Sequence, residues 1–227
     1  MNYVKLEARL NVLACAQAVY GSYLQLKSEG FSLTNISPRL LPNNQVGFGN
    51  SGLKFSDHAF LHTVKGGFAC PQLSSFFFDP LRCTRAVFSL LKVKSVCRNY
   101  DDLPLSARVL LRAGLEATVV FMNFHERVGD ILRDEKKSCL RIGIGQDNWV
   151  WDLFYKDVGG WVVKPYQAVQ KCTSQLEFAS FSVAHQSALG KLNALLAVGQ
   201  GKIKISGKIQ FIDKFGYFAR QANRILY

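Results

Sequence analysis

Hydrophobic positions in the first hundred residues follow a helical period in two places. Residues 3–28 carry apolar side chains at roughly helical spacing, and a glycine follows as a stop signal. Residues 81–94 predict a second helix, since Asp79 can cap its first turn and a proline comes next. Residues 31–67 are rich in Ser, Asn, Gly and Pro, which indicates turns, with a short strand near residues 54–56. The pattern predicts a helical, turn-rich N-terminal region.

The period changes in the second half of the chain. Residues 106–133 predict a long helix with one apolar face, and a polar turn then leads into alternating, strand-like sequence. The pattern predicts strands at 140–145, 149–155, 161–164, 176–181 and 202–206, and further helices at 183–198 and 208–226. This order of elements predicts an α+β fold. The acidic pair before Pro104 marks a boundary between an N-terminal region of unknown role, 1–103, and a second domain, 104–227.

One run in the second half forms a specific motif. It reads Gly201-Lys202-Ile203-Lys204-Ile205-Ser206-Gly207 and lies between two predicted helices. The run and the order of elements around it resemble the sterol carrier protein type 2 family, whose signature has Gly-Lys-apolar-Lys-apolar-x-Gly followed by an acid. The likeness covers about half of the chain. It departs from the family at Lys208, which stands in the place of the acid, and residues 1–102 have no counterpart in it.

The resemblance implies a mostly antiparallel, curved, five-stranded sheet covered by helices that leave an apolar cavity. Family members bind sterols, acyl chains, phospholipids or quinone precursors, and some are accessory factors in ubiquinone synthesis. The resemblance therefore implies that this chain binds and presents or transfers an apolar lipid without catalysis. The residues predicted to line the cavity are aromatic or apolar: Phe121, Phe124, Trp149, Trp151, Trp161, Phe178, Leu195, Phe211, Phe215 and Phe218.

Composition and charge add a surface to this picture. The 48% hydrophobic content and 17 Phe suit a packed core or a pocket wall, and the net charge of +12 favours anionic partners. Residues 183–227 contain seven Lys and Arg and a single acidic residue, Asp213. A cationic rim around an apolar helix face is typical of proteins that touch anionic membranes. The residues predicted to meet such a membrane surface are Lys202, Lys204, Lys208, Lys214, Arg220 and Arg224.

No set of residues indicates catalysis, a cofactor or a metal site. His58 and His62 have the i, i+4 spacing of a helical metal site, but they are better interpreted as incidental surface histidines. No nucleophile motif, Walker loop or complete dinucleotide fingerprint occurs, so no cofactor is predicted. The six cysteines lack close spacing and are interpreted as reduced, mostly buried thiols. With no signal-peptide pattern, the prediction is a cytoplasmic protein, peripheral at a membrane.

Two other classes of function compete with the lipid carrier. The same fold can serve as a scaffold for protein–protein interaction, with residues 1–103 recruiting a partner protein. The high positive charge also suits nucleic acid, but the basic residues lack the aromatic, glycine-rich setting of common single-strand binders, so nucleic acid is not a favoured partner.

Overall fold

The structure, a computed structural model, describes residues 3–49, 52–66, 71–72, 74–98, 102–146, 148–168 and 171–227. The helices are α1 (Tyr3–Ser28), α2 (Asp57–Val64), α3 (Ser74–Phe78), α4 (Pro80–Arg98), α5 (Leu103–Phe124), α6 (Val128–Ile131), α7 (Phe181–Ala188), α8 (Ala194–Gly199) and α9 (Ile209–Leu226). The strands are β1 (Pro38–Leu41), β2 (Gln45–Phe48), β3 (Leu53–Ser56), β4 (Cys139–Ile144), β5 (Trp149–Lys156), β6 (Gly160–Pro165), β7 (Ser174–Phe178) and β8 (Ile203–Gly207).

The second half of the chain builds a five-stranded sheet in the order β6-β5-β4-β7-β8. Neighbouring strands are antiparallel except for β4 and β7, which run parallel. The sheet is curved and open, so the predicted α+β fold with a mostly antiparallel, five-stranded sheet is confirmed. Gly207, the last residue of the sequence motif, ends β8 with φ of +84°, and a Cβ there would collide with the carbonyl of Thr173. The motif glycine is therefore required by the close approach of the chain before β7.

The central helix α5 joins the two halves of the chain. Its N-terminus is capped by Asp102, whose side chain accepts a hydrogen bond from the Leu105 amide. Near its C-terminus, Asn123 exchanges two hydrogen bonds with the backbone of Trp161, at 2.7 and 3.0 Å. Along its length α5 packs against α1, α7, α9 and β6. Residues on both sides of position 103 thus share one apolar core, and the independence of 104–227 as a domain stays a prediction.

Some element boundaries differ from the sequence predictions. The helix predicted over 106–133 ends at Phe124, because His125 takes an extended conformation. The helix predicted over 183–198 is interrupted, since Gly190 adopts φ of +66° and Asn193 caps a new helix, α8. In the N-terminal region, β1, β2 and β3 form an antiparallel sheet where the sequence indicated mainly turns. The strands have four residues each, too few for a clear alternation of apolar and polar positions.

The interpretation of all cysteines as reduced thiols is wrong for one pair. Cys139 at the start of β4 and Cys172 just before β7 form a disulfide across a separation of 33 residues. These residues meet because β4 and β7 are parallel neighbours. Cys15, Cys83 and Cys97 are free thiols, whereas Cys70 lies outside the described residues. Burial raises the pKa of Cys15 to about 12, which opposes formation of its thiolate.

A buried carboxylate anchors the start of α9. Glu135 lies in a short 3₁₀ turn before β4, and its side chain is 1% exposed. Lys208 and Lys214 place their Nζ atoms 2.6 and 2.7 Å from its carboxylate oxygens, and the Ser138 hydroxyl donates a third hydrogen bond at 2.6 Å. Burial alone would raise the pKa of Glu135, but these hydrogen bonds and charges outweigh it and lower the pKa to about 2. Lys208, the departure from the family motif, therefore has a structural partner.

Stability should fall on acidification because of Glu135. Its pKa is lower in the fold than its ordinary value of 4.5, so its contribution is complete above that value and is lost as the pH falls toward 2. The contribution is on the order of 3 kcal/mol. We expect Glu135→Gln to lower the free energy of unfolding at pH 7 and to flatten its decline in acid, measured by urea denaturation. Glu126→Gln, at an exposed position, is the control. An unchanged acid decline in the Glu135 variant would contradict the assignment.

The disulfide should stabilise the fold by restricting the unfolded chain. Closing a loop of 33 residues is worth roughly 3–4 kcal/mol in the chain-entropy description. We expect Cys172→Ser to lower the free energy of unfolding by about this amount, measured in denaturant without reductant. Reductant should destabilise the wild-type protein and leave the variant unchanged. Peptide mapping after alkylation of denatured, unreduced protein should find Cys139 and Cys172 linked, and finding both alkylated would contradict the assignment.

Candidate functional site

Buried aromatic side chains occupy the region between the sheet and its helices. Of the ten residues predicted to line a cavity, seven are buried and come from α5, β5, β6, β7 and α9: Phe121, Trp151, Trp161, Phe178, Phe211, Phe215 and Phe218. Trp149 is half-buried, with its ring over Gly143 at an irregularity of the β4–β5 register. These residues belong to one continuous core cluster, apart from Trp149.

The buried aromatic side chains contact one another. The rings of Trp161 and Phe211 stack with centroids 5.2 Å apart, and Tyr155 meets Trp161 edge-on at 5.6 Å. A second group surrounds His125, whose ring lies 5.8 Å from Phe218 and 6.2 Å from Phe121. The interior between β6 and α9 is therefore filled, at Trp161 and Phe211, by the protein's own rings. A guest molecule at this point must separate them.

Sequence reasoning missed two members of these aromatic groups. Neither His125 nor Tyr217 is among the ten residues predicted to line the cavity, yet their rings lie 6.0 Å apart and both contact the ring of Phe218. The signal for Tyr217 was its place next to Phe218 on an amphipathic helix. His125 had no such signal, because it was expected within a continuing helix and instead lies just after the end of α5.

Two of the predicted wall residues lie on the surface. Phe124, in the last turn of α5, is 64% exposed, and Leu195 in α8 is 87% exposed. The structure does not bring them together with the buried aromatic residues. Leu195 instead belongs to an exposed apolar turn of helix that also includes Leu196 and Val198. We refer to Leu195, Leu196 and Val198 as the α8 patch.

The residues predicted to meet a membrane surface fall into two groups. Lys208 and Lys214 are held by Glu135, so their charges are engaged within the fold. The other four are exposed: Lys202, Lys204, Arg220 and Arg224. Lys202 lies four residues after Val198, and its amide donates a hydrogen bond to the carbonyl of Ala197 in α8. Lys204 lies opposite Glu177 in the β7–β8 register. An exposed apolar turn therefore lies beside exposed cations.

Two surface cavities are lined by residues of the N-terminal half. One, of about 320 Å³, lies on the small sheet and is lined by Arg39, Leu41, Gly47, Phe48, Gly49, Gly52, Leu53 and Lys54. The other, of about 620 Å³, lies beside α4 and is lined by Phe31, Ser32, Leu33, Thr34, Arg85, Phe88, Ser89 and Lys92. Neither lining includes any of the ten residues predicted to line a ligand cavity.

Candidate metal ligands lie at two places, on α2 and at the disulfide between β4 and β7. His58 and His62 lie exposed on α2, a helix where the sequence indicated turns. Within the described ranges, a group of possible ligands close enough to share an ion consists of Cys139, Asp152 and Cys172. Its two sulfur atoms form the disulfide, and Asp152 pairs with Arg141 at 2.9 Å. Each of these groups is thus engaged within the fold.

A comparison with solved structures finds a domain similar to part of this chain. The chain is similar to the solution structure of the sterol carrier protein domain 2 of Helicoverpa armigera, with a TM-score of 0.37 and 23% sequence identity, over 56% of this chain and 93% of that chain. This is the family that the motif at 201–207 resembles. No family model matches the chain, and no curated protein matches it. Among the helices within the described ranges, none has the length and apolar character needed to cross a bilayer.

The Trp161–Phe211 stack should contribute to stability. Replacing Phe211 by Leu removes the aromatic contact and part of the buried area, which is worth about 1–3 kcal/mol. We expect Phe211→Leu to lower the free energy of unfolding by this amount in urea. The same change at the exposed Phe124 is the matched control and should have almost no effect. Equal losses in the two variants would contradict the packing described for Phe211.

Proposed function

We propose that this protein is a non-catalytic carrier that binds an apolar lipid and presents or transfers it. The ligand class is a sterol, acyl chain, phospholipid or isoprenoid quinone precursor, and the role is that of an accessory factor in lipid or ubiquinone metabolism. The observation that carries the proposal is the aromatic interior between the sheet and α5 and α9, where Phe121, Trp151, Trp161, Phe211 and Phe218 are all buried.

The energetics of such an interior favour a hydrocarbon guest. Burying a chain of about sixteen carbons gains on the order of 12 kcal/mol at roughly 0.8 kcal/mol per methylene. Separating Trp161 from Phe211 loses their ring–ring interaction, about 1 kcal/mol. The apolar surface of the two rings is covered again by the guest, so its burial is not lost. Association costs take several kcal/mol more. The gain exceeds these costs, so the guest needs no charged contact. In the lipid-free carrier, the aromatic side chains of the interior pack against one another and occupy the space that a lipid would take.

The surface near α8 supports transfer at an anionic membrane. The α8 patch exposes apolar side chains, and Lys202, Lys204, Arg220 and Arg224 supply exposed positive charge in the same C-terminal segment. Apolar side chains enter the boundary of the acyl region while cations attract anionic head groups. Contact at this surface brings the membrane close to β8 and α8, at one edge of the five-stranded sheet.

Native mass spectrometry of the purified full chain tests the carrier function. We expect a fraction of the protein to retain lipid, which organic extraction then identifies. Phe211→Leu should retain more lipid or bind a fluorescent acyl-chain probe more tightly, because it relieves the Trp161 stack. Phe124→Leu is the matched control and should behave as the wild type. An empty protein that also fails to bind the acyl-chain probe would refute the carrier and favour the interaction scaffold, with residues 1–103 recruiting a partner protein.

A further inference from the structure

The exposed face of α4 alternates apolar and cationic side chains. Leu81, Arg85, Phe88 and Lys92 recur at intervals of four, three and four residues, so they form one stripe along the helix. Leu81 is 72% exposed and Phe88 is 66% exposed, and Arg85 and Lys92 are exposed as well. We call these four residues the α4 stripe. Two flanking residues extend its apolar part, Phe77 in α3 and Leu91 in α4, which are also exposed.

The opposite face of α4 holds the helix in place. Cys83, Ala86, Ser89 and Val93 are buried there. The Ser89 hydroxyl accepts a hydrogen bond from the Thr34 amide at 3.0 Å, which fixes residues 31–34 beside the helix. The stripe is therefore presented to solvent by a helix whose inner face is packed.

The charge of α4 is entirely positive. Its 19 residues include three Arg and two Lys and no Asp or Glu. Arg85 and Lys92 lie at the rim of the cavity of about 620 Å³ between α4 and residues 31–34. They are two turns apart, or about 10 Å along the helix axis. The Lys92 amine also lies 5.1 Å from the centre of the Phe31 ring. A phosphate group between the two cations would meet positive charge from both sides.

We propose that α3 and α4 form a membrane-docking surface that lies in the head-group region of an anionic bilayer. Phe77, Leu81 and Phe88 enter the acyl boundary, and Arg85 and Lys92 bind lipid phosphate at the mouth of the cavity. The alternation along one helix face favours a bilayer, because a helix lying in the interface buries its apolar side chains while adjacent long cations reach the phosphates. This surface is separate from the α8 patch and does not require a lipid within the carrier interior.

Vesicle flotation of the full chain tests the surface. We expect binding to phosphatidylcholine vesicles that contain phosphatidylserine, and weak binding to phosphatidylcholine alone. The double variant Leu81→Ser/Phe88→Ser should weaken binding to the anionic vesicles about tenfold or more. Val158→Ser is the control, since Val158 is an exposed apolar residue at the β5–β6 turn. It should bind as the wild type.

A second pair of variants tests the cations. Arg85→Gln/Lys92→Gln should weaken binding to the anionic vesicles by about thirtyfold and leave the weak binding to phosphatidylcholine unchanged. Lys137→Gln/Lys164→Gln removes the same net charge at exposed positions elsewhere and is the matched control. Equal losses in the two double variants would show attraction through net charge alone and would overturn the phosphate site.

The outcomes distinguish a bilayer from a second copy of this chain as the occupant of the α4 stripe. They also distinguish the α4 stripe from the α8 patch, and membrane docking from the carrier function. Retained flotation of both α4 variants overturns the proposal, and loss through Leu195→Ser/Leu196→Ser alone would assign membrane contact to the α8 patch. Self-association that Leu81→Ser/Phe88→Ser abolishes, with flotation unchanged, would assign the stripe to a second copy. The α4 variants should keep the lipid content of the wild type in native mass spectrometry. An empty protein that still requires the α4 stripe for flotation would refute the carrier and leave the docking surface intact.

Discussion

The burial of α5 is the constraint on which both halves of the structure depend. Its apolar side chains face α1 on the N-terminal side and the sheet and α9 on the other. Such a helix cannot be stable in isolation, because it has little polar surface to give to water. The two hydrogen bonds between Asn123 and Trp161 then fix the helix against β6. The N-terminal region therefore contributes to the same core as the sheet, although the family motif lies wholly in the second half.

This shared core affects how a guest could enter. The helices α1 and α5 approach closely, since a Cβ at Gly21 would lie 2.6 Å from the Glu116 side chain, whereas α9, which also packs on α5, buries larger rings such as Phe211 and Phe218. A change of rotamer in a large aromatic side chain can open space for a guest. Two closely packed helices with small residues between them have no large side chain that can move aside. Expansion of the interior is thus easier between α9 and the sheet. The Glu135 cluster holds Lys208 and Lys214 at the N-cap and in the second turn of α9, and the helix beyond them buries Phe215, Phe218, Ala222 and Leu226.

The sequence predicted the C-terminal elements well because each has a strong local signal. The order of helices and strands along the chain followed from changes in the hydrophobic period, and the motif at 201–207 was identified through its resemblance to the sterol carrier family. Other features depend on contacts that a local pattern does not contain. Cys139 meets Cys172 only because two strands separated by a long hairpin run side by side. Glu135 meets Lys208 across 73 residues. The exposure of Phe88 was equally hidden, since an apolar residue in a helix is more often buried than exposed.

The excess of positive charge is used in two different ways. Lys208 and Lys214 of the basic C-terminal segment form ion pairs with one buried carboxylate, that of Glu135. In α4, by contrast, no acid is present along the helix, and Arg85 and Lys92 flank an exposed Phe88. An ion pair within the fold stabilises it. Unpaired like charges beside exposed apolar side chains do not, because the charges repel one another and the apolar area stays in water. A surface of that kind is better explained by contact with an anionic, apolar partner than by any benefit to folding, and a bilayer combines both properties.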